Sequence, residues 1–129
     1  MTKPAVEEVL RHLRDEFPGA EVCFTPDGNG GGDVVVEGVA LGDRLFPAST
    51  WVGAHLSPQL PFADVYPVFI GADVTRGNGM PLGGPTSVVP FASRPAIQVS
   101  RRTNNLVATP HAAAMKFRKV LDFLQELAE

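Results

Sequence analysis

Cysteine is nearly absent: Cys23 stands alone in 129 residues. That excludes an internal disulfide framework and any Cys-x-x-Cys pair for zinc or redox work. No apolar run approaches the roughly 18 residues that a membrane helix needs. Glu7 and Glu8 lie where the apolar core of a secretory signal would fall. Aromatic residues make up only 8% of the chain and are not interleaved with its basic residues, and the net charge is −3, which together argue against nucleic-acid binding. Two glycine-rich stretches, 28–33 and 77–84, lack both the Gly-Lys-Ser/Thr ending of a phosphate loop and G-x-G-x-x-G spacing between strand and helix. They read as turns. His12, His55 and His111 are widely separated, with no two at ligand spacing on one helix face. The expectation is a cytoplasmic protein with no cofactor, no metal, no nucleic-acid partner and no membrane contact.

What is present is the composition of one globular domain, 1–129, with 44% hydrophobic and 19% charged residues. Its charge is lopsided. Residues 1–64 hold four basic and ten acidic side chains, a balance of −6, whereas 65–129 hold seven and four, a balance of +3. A basic half of this kind suits docking to an acidic partner, although an ordinary solvated surface gives the same asymmetry.

Two helices frame the chain. Over residues 4–17, Pro4 suits the first turn, Val6, Val9, Leu10, Leu13 and Phe17 form an apolar stripe, and Pro18-Gly19 stops it. At the other end Thr109 is an N-cap, Pro110 takes the first helical position, and Ala113, Phe117, Val120, Leu121, Leu124 and Leu127 make a second stripe. Between them, 20–25, 33–41, 51–56 and 68–74 read as strands. The turns joining them are short, which favours an antiparallel meander over a parallel sheet with crossover helices. Residues 75–96, rich in glycine and proline, read as a long irregular loop, and 97–99 as a short extended piece. The fold class is therefore α+β: an N-terminal helix, a four-stranded antiparallel meander, an irregular loop and a C-terminal helix.

Chemistry concentrates between Phe91 and Asn105. Adjacent Arg101 and Arg102, hydroxyls and side-chain amides fall between the loop and a helix start. Guanidiniums fork onto carboxylates, and amides orient a chain terminus or steady an oxyanion. Arg94, Gln98, Arg101, Arg102 and Asn104 are the candidate partner-binding residues. Ser93, Ser100 and Thr103 are candidate acceptor hydroxyls, with His111 the nearest base in sequence. An exposed polar loop whose arginines cover apolar surface is the plainer alternative. Cys23, between Val22 and Phe24, reads as a small, inert core thiol. His12 reads as solvated and His55 as partly buried.

The step Phe62-Ala-Asp-Val-Tyr66-Pro67 sits among consecutive strands between two terminal helices. That order, with Tyr66-Pro67 and the blocks 66–74 and 94–105, resembles the bacterial branch of the ubiquitin-conjugating-enzyme (UBC) family. The resemblance implies the UBC-like fold and a place in bacterial ubiquitin-like conjugation, including anti-phage defence. It covers most of the chain in element order and two short segments in sequence. The chain departs from the family where the chemistry lies. Residues 75–129 contain no cysteine, His-Pro-Asn is absent, and Val68, Phe69 and Ile70 replace the family's further prolines. A thioester requires a thiolate, so cysteine-based transfer is excluded. Two readings follow. In one, the protein is a non-catalytic module binding a ubiquitin-like protein or its activating or conjugating enzyme. In the other, it is a carrier forming an oxyester through Ser93, Ser100 or Thr103.

Overall fold

Pro4 and Pro110 open the two helices, each lacking only an N–H that a first turn leaves unbonded anyway. In the computed structural model, which describes residues 1–128, α1 runs Pro4–Glu16 and α2 runs Pro110–Leu127. Thr109 caps α2, its hydroxyl accepting from the Ala112 N–H at 3.1 Å. Both apolar stripes are buried: Val6, Val9, Leu10 and Leu13 from α1 pack with Phe117, Val120, Leu121 and Leu124 from α2 in one core. Each such side chain contributes about 1.5–3 kcal/mol when fully removed from water.

The strands are β1 (Glu21–Pro26), β2 (Gly32–Ala40), β3 (Leu45–Phe46), β4 (Ser49–Leu56), β5 (Val68–Gly71), β6 (Thr75–Arg76), β7 (Thr86–Val88) and β8 (Ala96–Val99). Six of them form one antiparallel sheet in the order β1-β2-β4-β5-β8-β7, and β3 with β6 make a separate two-stranded ribbon. The α+β class and the two terminal helices agree with the sequence, but the sheet has six strands rather than four. The expected meander is its consecutive part, β1-β2-β4-β5. Residues 75–96 also hold more order than their glycines and prolines suggest, since β6 and β7 lie within them. The expected strand over 68–74 ends at Gly71, where the Val74 N–H turns back to the Gly71 carbonyl. Residues 97–99 belong to β8, an interior strand between β5 and β7.

Strand alternation sends Val34, Val36, Val52, Ala54, Val68, Ile70, Ile97 and Val99 to the helix-covered face, all within the main core. The cross-strand register puts Cys23, Val35, Gly53, Phe69, Gln98 and Ser87 in one row on the opposite face. A second, smaller cluster forms there from Val35, Phe69, Phe91 and Ala96, with Trp51 and Val89 against it. Phe91 stacks on Phe69 with ring centroids 4.4 Å apart. Gly53 makes this possible, because a Cβ at that position would stand 2.8 Å from the Phe91 ring.

The turn after Phe91 holds Ala92 and Ser93 at φ of 51° and 62°. Such left-handed geometry costs a non-glycine residue about 1–2 kcal/mol. It is held by the Phe91–Arg94 backbone pair, with N–H···O distances of 3.0 and 2.9 Å.

Cys23 corrects its expectation. It is exposed on the edge strand β1, not a core residue. Its thiol lies 3.2 Å from the Glu21 carboxylate, and that hydrogen bond, with a smaller contribution from burial, raises the pKa. The thiol is therefore poorly ionised because of a carboxylate neighbour, whereas apolar surroundings were the cause expected.

Candidate functional site

Lys116 occupies a position that helical periodicity reserves for the core, one residue before Phe117 and one turn after Ala113. Its side chain is 6% exposed, and a buried ammonium requires partners. Asp64 supplies a carboxylate oxygen at 3.0 Å and Thr103 a hydroxyl oxygen at 2.9 Å. Thr103 in turn donates its O–H to Asp64 at 2.7 Å and its backbone N–H to the other Asp64 oxygen at 2.8 Å. Three segments distant in sequence, the Phe62–Pro67 step, the basic loop and α2, are tied into one polar knot.

Electrostatics in the knot are uneven. Burial alone would raise the Asp64 carboxyl, but the two Thr103 donors and Lys116 outweigh it, and the group sits below its ordinary pKa. Burial holds Lys116 below the usual lysine value, and Arg101 and Lys119 push it the same way by like-charge repulsion; Asp64 offsets this only in part. Four cations, Arg101, Arg102, Lys116 and Lys119, thus gather on the loop and the first half of α2. Lys116 and Lys119 line a cavity of about 40 Å³, in which Asp64 is the carboxylate among the lining residues.

Arg101 and Arg102 are exposed, and each lies on an aromatic ring. The Arg101 guanidinium carbon is 4.2 Å from the Phe123 ring centre and that of Arg102 is 4.0 Å from Tyr66. Neither forms an ion pair among the described residues. No ion pair or hydrogen bond among the described residues engages the N–H groups of either guanidinium. Beside them the cavity's rim carries Leu106 and Val107, 42% and 60% exposed. Phe62, 79% exposed, lies between the cavity residues Pro61 and Ala63.

The other sequence candidates are dispersed. Arg94 lies over Trp51 at 5.2 Å and forks onto Glu37, with Nη1 3.1 Å from Oε1 and a second bond from Nη2 to Oε2. The fork holds Glu37 below the ordinary carboxylate range. Gln98 donates to the Ser100 hydroxyl at 3.0 Å. Ser93 is exposed at the strained turn, and Asn104 is exposed on the loop. The ring of His111 meets that of His12 edge-on at 5.1 Å, which makes His12 half-buried where a solvated side chain was expected. His55 is exposed and bridges Asp33 at 2.9 Å and Asp27 at 3.7 Å. Among the described residues no group of three or more His, Cys, Asp or Glu is placed to hold a metal ion, and no helix is long and apolar enough to cross a membrane.

Asp64, Lys116 and Phe123 were not singled out from sequence. Lys116 carried one legible sign, a charge on an apolar helical stripe; Asp64, 39 residues before Thr103, carried none. No family model, curated protein or solved structure matches the chain.

Proposed function

We propose that this protein is a non-catalytic, UBC-like binding module in bacterial ubiquitin-like conjugation. It holds a ubiquitin-like protein, or the activating or conjugating enzyme, on the basic loop beside α2. The fold reading draws support from the order helix, consecutive antiparallel strands, Tyr66-Pro67, loop and helix. The observation that carries the binding reading is the state of Arg101 and Arg102. Both are pre-oriented by aromatic stacking, and both lack a carboxylate of their own. Side chains already ordered lose less freedom on binding, which favours recognition of a partner's acids.

Titration with a ubiquitin-like protein, its activating enzyme and its conjugating enzyme, each separately, tests this reading. Saturable binding of one of them is the expected result, and binding of none refutes the proposal.

The oxyester alternative rests on one observation: Thr103 is the candidate hydroxyl with ionisable groups bonded to it. Its proton is committed to Asp64 and its lone pair receives a bond from the Lys116 ammonium. A paired ammonium has no free lone pair with which to accept a proton, so general-base activation there is weak. Ser100 accepts from Gln98, and Ser93 has no such neighbour. Incubation with activating enzyme, ATP and ubiquitin-like protein decides between the readings. The module yields no adduct; a hydroxylamine-sensitive adduct abolished by Thr103→Val would establish the carrier.

A further inference from the structure

The cation cluster is unbalanced among the described residues. Arg101, Arg102, Lys116 and Lys119 carry four positive charges. Asp64, the carboxylate bonded to one of them, already accepts three bonds, two from Thr103 and one from Lys116. Like charges this close raise the free energy of the unbound surface, and a partner's carboxylates relieve it. Arg118, on the same helix, is different: its Nε bonds Glu16 at 3.0 Å and its guanidinium lies over Phe17. Exposed apolar side chains stand close by: Leu106 and Val107 line the cavity with Lys116 and Lys119, and Phe62 is exposed between the lining residues Pro61 and Ala63. Solvent-exposed side chains of this size contribute most when a second apolar surface covers them.

We infer that the loop 101–107 and the first turns of α2 form a docking surface for a protein segment with an apolar centre flanked by carboxylates. The acids fork onto the free edges of Arg101 and Arg102, and the apolar centre covers Leu106, Val107 and Phe62. The Asp64–Thr103–Lys116 knot fixes the height of the loop, so that the arginines and the apolar rim are presented together. This rests on the binding reading above and adds the chemistry of the contact. Charge complementarity favours this occupant over a second copy of the chain. A second copy would bring the same four cations face to face across a two-fold axis. Nucleic acid would use the arginines but leave Leu106 and Val107 without a role, and an anionic membrane would cover those side chains but leave the cavity they line unfilled.

The test uses the full chain, labelled for amide NMR, and three synthetic 12-residue peptides: one of Asp, Glu and Leu, one with its acids replaced by Lys, and one with its Leu replaced by Ser. The Asp/Glu/Leu peptide is expected to shift amides of 101–107 and the start of α2. Both substituted peptides should bind at least about tenfold more weakly, a loss of about 1.4 kcal/mol. Arg101→Gln/Arg102→Gln and Leu106→Ser/Val107→Ser should each weaken the first peptide by a similar factor, with thermal unfolding verifying that both variants remain folded. Equal binding of the Lys peptide, unchanged binding by the Gln variant, shifts centred elsewhere, or tighter binding to a single-stranded RNA or to anionic vesicles would each overturn the inference. So would self-association in sedimentation that Arg101→Gln/Arg102→Gln abolishes. A ubiquitin-like protein that binds through Arg101 and Arg102 but is indifferent to Leu106→Ser/Val107→Ser would defeat this inference and leave the functional reading standing. Peptide binding as expected, with no response to any conjugation component, would do the reverse.

Discussion

Arg94 and the pair Arg101–Arg102 have the same local recipe and different fates. Each guanidinium lies over an aromatic ring: Trp51 for Arg94, Phe123 and Tyr66 for the other two. Only Arg94 also meets a carboxylate, Glu37, in a two-point fork. Stacking places an arginine, whereas the presence or absence of an acid decides whether its donors are consumed inside the fold or left for another molecule. Arg94 therefore belongs to the outer-face cluster with Phe91 and Trp51, and Arg101 and Arg102 belong to the surface.

The strongest way to break this contrast is to remove what holds each region in place. Lys116→Met leaves the Asp64 carboxylate half-buried with only Thr103 to bond. It should cost about 3 kcal/mol in chemical denaturation and loosen the loop that bears Arg101 and Arg102. An unchanged denaturation midpoint would mean that the knot does not organise the loop. Phe91→Ala strips the ring from the outer sheet face and should cost about 2–3 kcal/mol, without altering partner binding at the loop. If both stability and binding fell together, the two regions would be coupled and the contrast lost.

The acid response sharpens the same point. Asp64 has its folded pKa below the ordinary carboxylate value of about 4, so its contribution is present above that range and disappears as pH falls through the folded value. Asp64→Asn should flatten the acid limb of a stability-versus-pH curve; an unaltered limb would assign it to other carboxylates. Lys116 has linkage of the same sign in a window at higher pH. Its depressed pKa makes the unfolded chain the tighter proton binder, so stability rises as pH climbs from the folded value towards about 10.4.

Smaller effects separate the arginines themselves. Arg94→Gln breaks a fork whose partners are each about one-third exposed, so the loss should stay near about 1 kcal/mol by thermal melting, solvent having screened most of it. Arg101→Gln/Arg102→Gln should move stability by no more than about 0.5 kcal/mol while abolishing most partner binding. The reverse ranking, with the exposed pair more important to stability than Arg94, would remove the distinction between an internal and an external arginine.

The sequence was most informative where one side chain decides local geometry. Thr109-Pro110 marked the start of α2, and the apolar stripes marked both buried helix faces. It was least informative at β6 and β7, inside the stretch read as an irregular loop. A three-residue run such as Thr86-Ser87-Val88 has no pattern long enough to read, and it becomes a strand only because β8 lies beside it. Cys23 shows the same limit from the other side. Apolar neighbours in sequence alternate across a strand, so Val22 and Phe24 face the core while Cys23 faces solvent.

Part of the candidate site was legible and part was not. Arg101, Arg102 and Thr103 stood out through density and position alone. That Thr103 is locked between Asp64 and Lys116, that Arg94 is occupied, and that His111 meets His12 were not encoded in any local spacing. Composition, turn chemistry and periodicity by themselves fixed the α+β class, both helices and the absence of thiol chemistry after residue 75, because each depends on residues adjacent in the chain. Which charges are neutralised and which remain open was decided only by tertiary structure. Ion pairing depends on distances of a few ångströms between segments tens of residues apart, and those distances exist only once the sheet and helices have packed.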